Sequence, residues 1–125
     1  MKIISFVSKY DGKILEDAGA YKSKEFIQFA RDMKSTIRDI CKEVGAEMVK
    51  FNVGHYDVSG FILRNGKHVY FAYSEPRHFP IDFNRSDYLN GILIRTAEHE
   101  KDYHGGKNNF CNIYTFGSVL SNLTA

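Results

Sequence analysis

The chain has no tryptophan, only two prolines and only two cysteines, and its N-terminal apolar stretch, residues 3–7, is five residues long. Each scarcity closes a class. Cys41 and Cys111 are far apart and belong to no CxxC pair, so a structural zinc site built on cysteine is excluded by count. They read as reduced, packed thiols of a cytosolic protein. A run of five residues without a cleavage signal is too short for a signal peptide or a membrane span, so a cytoplasmic protein with no membrane partner is expected. A net charge of +2 and a pI near 8.5 are too mild for the concentrated basic face that nucleic-acid binding usually needs. What is present is a globular composition, 43% hydrophobic and 14% aromatic. At 125 residues the chain should fold as one domain, 1–125, around one modest core.

Hydrophobic periodicity orders the elements. Residues 3–8 suggest a first strand, followed by an Asp11-Gly12 turn, a short return strand at 13–15 and a loop at 17–21. Ser23 is placed to cap a long helix reaching Val44, with Gly45 as its stop. Phe26, Phe29, Ala30, Met33, Ile37, Ile40, Cys41 and Val44 form its buried series. Its other faces interleave Arg31, Lys34, Arg38 and Lys42 with acids, which favours a solvated surface over a nucleic-acid stripe. From Met48 the period becomes two: Val49, Phe51 and Val53 on one side, Met48, Lys50 and Asn52 on the other. After a turn at Gly54-His55, residues 56–64 and 67–74 should form a hairpin around Asn65-Gly66, with Arg64 opposite Lys67, Ile62 opposite Val69 and Val58 opposite Tyr73. Val58, Ile62, Val69, Phe71 and Tyr73 suit the core. Asp57, Ser59, Phe61, His68 and Tyr70 make a mixed face able to line a ligand surface. Residues 74–91 have no period and hold both prolines, as a functional loop or flap would. Residues 92–97 read as a strand, and Ile113, Phe116, Val119, Leu120 and Leu123 as a short C-terminal helix. The fold class expected is α+β: an antiparallel sheet of four to six strands, one long helix in the N-terminal half and a short one at the C-terminus.

Chemistry concentrates in residues 95–110, RTAEHEKDYHGGKNNF. His99 and His104 are five apart, so HEKDYH is not HExxH and a shared helical face is lost; no metal site is expected. DYHGGKNNFCN has the histidine, Gly-Gly turn and asparagine of an HNH nuclease, but no second histidine follows, and that reading is rejected. A metal-free ribonuclease using His55, His68, Glu75, Arg64 and Arg95 stays open as the enzymatic alternative. Anion or nucleotide binding accounts for the stretch most economically, with no catalytic residue and no cofactor. Arg95 is the expected principal anion contact, its fork suited to a phosphate, with Thr96 adding a hydroxyl. Lys101 and Lys107 flank a Gly-Gly turn whose N–H groups can form an anion nest. Asn108 and Asn109 suit ribose hydroxyls or base edges, and Tyr103 and Phe110 can stack on a base. The competing reading is a glycine hairpin tip whose asparagines make their own turns, with Arg95 paired to Glu98 or Asp102.

The pattern RTAxHxKDYxGGxNNFC, with GHYxVSGF and VYFxYSxxR before it, resembles small bacteriophage-encoded proteins over most of the chain after Lys24. Phage proteins of this size include Thoeris anti-defence sponges, which sequester cyclic nucleotide-type signals in pockets between subunits without chemistry. The resemblance implies a viral counter-defence protein acting in the host cytoplasm as a homo-oligomer. It would bind a small phosphorylated ligand through Arg95 and Thr96, with nearby aromatics and asparagines holding base and ribose. Tryptophan, the strongest stacking residue, is missing from that picture. The alternative partner is a host defence protein, blocked by direct contact through the aromatics of residues 74–91.

Overall fold

The computed structural model describes residues 2–10, 24–54, 57–74 and 91–125. In chain order the elements are α1 (Lys2–Tyr10), α2 (Lys24–Val44), β1 (Glu47–Val53), β2 (Asp57–Arg64), β3 (Lys67–Ser74), β4 (Ile92–Ala97), β5 (Asn109–Cys111) and α3 (Phe116–Leu123). The class is α+β, and the five strands form one antiparallel sheet in sequential order, β1-β2-β3-β4-β5. The predicted features at residues 11–23, at His55 and across 75–90 lie outside the described residues.

α2 forms as its spacing requires. Phe26, Phe29, Met33, Ile37, Ile40 and Cys41 are buried along one stripe, and Gly45 ends the helix with φ 70°. Thr36 joins the buried stripe because its hydroxyl donates to the Asp32 carbonyl one turn back, at 2.7 Å. The hairpin takes the predicted register, Arg64 opposite Lys67, Ile62 opposite Val69 and Val58 opposite Tyr73. Asn65 and Gly66 both have positive φ, 52° and 70°, as a type I′ turn demands. Arg64 then clasps two helix ends. Its Nε donates to the Val44 carbonyl at 2.8 Å, and its guanidinium reaches Thr124 Oγ1 at 3.0 Å.

Two expectations are corrected. Residues 3–8 belong to α1 and not to a strand. Their β-branched residues favour a strand locally, but Phe6 and Tyr10, four apart, bury their rings against Phe29. α1 is fastened further by Lys9 and Tyr10, which both reach the Asp32 carboxylate, at 2.8 and 2.5 Å. In β1, the register slips between Met48 and Lys50. The extra residue turns Met48 towards the core, on the same side as Phe51, where strict alternation had placed it opposite. β5, within the polar stretch, was not anticipated as a strand.

The helices cover one sheet face. Val58, Ile62, Val69, Phe71, Tyr73, Ile92, Ile94 and Cys111 of the sheet meet α2 and α3 there, with Phe71 edge-on to Phe116 at 5.8 Å. α3 begins at a reciprocal pair: Thr115 N–H donates to Asn112 Oδ1 at 2.8 Å, and Asn112 N–H donates to Thr115 Oγ1 at 3.2 Å. The opposite sheet face, away from the helices, carries Lys50, Phe61, Tyr70 and Arg95.

Candidate functional site: the open sheet face

Strand register arranges this face in cross-strand rows. Lys50, Phe61, Tyr70 and Arg95 stand side by side in one row on β1, β2, β3 and β4. Asn52, Ser59, Ala72, Leu93 and Phe110 form the next, extending to β5. The rows are two residues apart, or about 6.8 Å. In the second row Ser59 and Ala72 are small, Leu93 stands between Ala72 and Phe110, and an amide and an aromatic ring lie at the ends. Beside the rings of the first row, Ser59 and Ala72 form the low part of this face, a shallow trough by side-chain size, with Ser59 9% exposed.

Residues 98–108 leave β4 and fold back over the first row. Tyr103 descends onto Phe61 and Tyr70, edge to face, at ring-centroid distances of 5.2 and 5.8 Å. Phe61 is fully buried as a result. Lys50 Nζ lies 5.6 Å from the Tyr103 ring centroid, and Asn52 Nδ2 is 3.4 Å from the Tyr103 hydroxyl, which accepts its hydrogen bond. Tyr103 itself keeps 44% of its surface exposed.

Arg95 holds this arrangement from below. Its guanidinium stacks over Tyr70 at 4.5 Å and donates to the Asp102 carbonyl at 2.8 Å and the Thr96 carbonyl at 3.2 Å. It is 3% exposed, and no carboxylate lies within ion-pair distance of it among the described residues. Here Arg95 grips main-chain carbonyls and a ring, beneath the loop. The expected pairing with a side-chain acid and the expected open anion contact are both absent from this geometry. Asp102 is the loop's second organiser. Its carboxylate accepts N–H bonds from Glu98 at 3.0 Å, His104 at 3.2 Å and Gly105 at 2.7 Å. The Glu98 bond foremost, then those of His104 and Gly105 and the charge of Arg95, hold this carboxyl below the usual aspartate range. Gly106 has φ 75°, and a side chain there would run into the Thr96 carbonyl, so the Gly-Gly pair is a folding requirement of this loop.

Of the remaining predicted residues, Phe110 joins the open face, whereas Thr96, opposite Val69, and Asn109, opposite Ile94, lie on the helix side of the sheet. Phe110 alternates with the buried Cys111 and so projects from the open face, 66% exposed. Thr96, Lys101, Lys107 and Asn108 are exposed, and Asn109 is half-buried with its amide donating to the Lys107 carbonyl at 3.0 Å. The structure therefore brings Arg95, Tyr103 and Phe110 to one face. Lys50, Asn52, Ser59 and Ala72 complete it from strands whose distance in sequence concealed the association. The cross-strand register derived from Asn65-Gly66 was the signal that could have found Ser59 and Ala72.

Of the ribonuclease set, His55 and Glu75 lie outside the described residues, Arg64 clasps helix ends and Arg95 is buried. His99 Nδ1 accepts the Lys101 N–H at 3.1 Å, an arrangement internal to the loop. Among the described residues no three His, Cys, Asp or Glu side chains are grouped to hold a metal ion. Burial pushes the Cys41 thiol up to about 11 and that of Cys111 up to about 12, which removes both as nucleophiles near neutral pH. No helix among the described residues is long and apolar enough to cross a membrane. Comparison with known proteins found no family model that matches the chain, and no curated protein or solved structure similar to it.

Proposed function

We propose that the protein is a non-enzymatic binding protein that captures a small phosphorylated, cyclic nucleotide-type ligand on the open sheet face, acting as a phage counter-defence sponge. The observation that carries this reading is the trough itself. Ser59 and Ala72 are small, Tyr70 and Tyr103 stand beside them, and the exposed Phe110 lies in the same row beyond Leu93, so a planar base laid along the row would meet aromatic rings on two sides. Lys50 and the Asn52 amide border it as charge and hydrogen-bond donors, and Lys101 and Lys107 are free to swing towards a phosphate. Arg95 is a positioning residue in this scheme, holding Tyr103 in place. The row ends at β5 with Phe110, 66% exposed, and Tyr114, three residues beyond that strand, is 57% exposed. A second copy seated there would cover both rings and close the pocket between subunits, making the protein a homo-oligomer.

The same exposed pair favours one other reading, direct blocking of a host defence protein through Phe110 and Tyr114. Native mass spectrometry of the protein from infected cells, followed by titration with a panel of cyclic mononucleotides and cyclic dinucleotides, separates the two. Capture predicts a retained small-molecule adduct and a Phe110→Ala variant about tenfold weaker for it, the scale of one base-stacking contact. A protein partner in place of an adduct, with no panel member binding, would overturn the sponge reading.

A further inference from the structure

A second surface, on the other side of the sheet, follows from α2 and β1 together. Arg31, Lys34, Arg38 and Lys42 recur at intervals of three and four, so they form one row along α2. The row borders the outward side of β1. Arg31 and Lys34 line a hollow of about 290 Å³ with Ile27, Ala30, Phe51 and Val53, and Arg38 and Lys42 line one of about 190 Å³ with Glu47 and Met48. Lys34 Nζ lies 5.6 Å from the Phe51 ring centroid. Among the described residues no acid is within ion-pair distance of any of the four cations, although Asp39 shares a hollow with them. β1 is the edge strand, and no described strand pairs with its outer side. Beyond the bulge, Lys50 to Val53 keep regular register and offer backbone groups over about 10 Å, against about 16 Å for the basic row.

We propose that this groove docks an extended, acidic segment of a partner protein, which adds a strand to the outer edge of β1 and lays alternate acidic side chains against Arg31, Lys34, Arg38 and Lys42. Unpaired main-chain groups supply the affinity of strand addition, and the cations select the sequence. The Ile27–Phe51–Val53 hollow takes an apolar side chain at the end of the segment near Val53. Charge argues against a second copy as the occupant. Pairing β1 with its own twofold mate would set this cationic row against itself. Nucleic acid uses the charges but leaves the strand edge unused.

Fluorescence anisotropy tests this with a labelled hexapeptide carrying acids at alternate positions and valine between them. The acidic peptide should bind, weaken as salt rises, and bind about tenfold more tightly than its lysine counterpart. Arg31→Glu with Arg38→Glu, both at exposed helix positions, should abolish binding while circular dichroism shows an unchanged melt. N-methylation of alternate peptide amides should also abolish it, because those groups can no longer join a ladder. Equal binding of the N-methylated peptide, no binding of the acidic one, or its displacement by a charge-matched oligothymidine at lower concentration would each overturn the proposal.

Discussion

Replacing Arg95 by methionine keeps the aliphatic stem and removes the fork, and the structure sets the expected cost. Two charged hydrogen bonds disappear, to the Asp102 and Thr96 carbonyls, and both acceptors stay under the loop. Bonds of this kind contribute about 1.5–3 kcal/mol. The stacking over Tyr70 at 4.5 Å is also lost, worth about 0.5–2 kcal/mol. Some of this is recovered, because water can reach the freed carbonyls once the loop loosens. A net destabilisation of about 2–4 kcal/mol corresponds to a fall in Tm of roughly 10 °C for a domain of this size. Thermal denaturation followed by circular dichroism measures it. Amide hydrogen exchange should show the loss beginning in residues 98–108, at the amides that face Asp102. Arg95→Lys should fall between, since an ammonium cannot span both carbonyls and the ring. An Arg95→Met protein that melts within about 2 °C of the parent, with loop protection unchanged, would refute the assignment of Arg95 as the pin of this loop.

Two further outcomes follow from close contacts described above. Gly60→Ala would drive a methyl group into the Lys50 carbonyl and to 2.9 Å from the Phe71 ring, and should cost about 1–3 kcal/mol by chemical denaturation, with a greater loss if the β1 bulge cannot shift. The second concerns acid. The Asp102 carboxyl is held below its ordinary value in the folded loop, so the order it gives is present above the unfolded pKa of about 3.9 and is lost as pH falls through the lower, folded one. The protection of the Gly105 amide, measured against its intrinsic exchange rate at each pH, should therefore fall in acid before the core strands open, and Asp102→Asn should remove that pH dependence.

Legibility followed the range of the forces involved. α2 and the Asn65-Gly66 hairpin were readable because periodicity and turn chemistry are local, and the hairpin register then followed residue by residue. α1 was misread because Ile3, Ile4 and Val7 carry a strand preference, while the contacts that hold the helix, to the Phe29 ring and the Asp32 carboxylate, come from more than twenty positions away. The bulge in β1 was hidden because nothing in the local alternation of residues 47–53 marks where the register slips. At the site, Arg95, Tyr103 and Phe110 could be named from a polar stretch that no core would accept. Their relationship could not. Nothing in RTAEHEKDYHGGKNNF says that Arg95 turns beneath its own loop, or that Lys50 and Asn52 arrive from the far edge of the sheet.

The sequential strand order has a kinetic meaning. Each strand of the meander pairs with the one that follows it along the chain, so no crossover must wait for remote segments to meet. The sheet can grow outward from the Asn65-Gly66 turn, whose two residues make the shortest connection in the sheet, which favours rapid formation of β2 and β3 as the first ordered unit. The Arg64 clasp joins groups some sixty positions apart, Thr124 among them, and so belongs to the last stage. Substitutions at the turn should slow folding, whereas loss of the clasp should mainly speed unfolding.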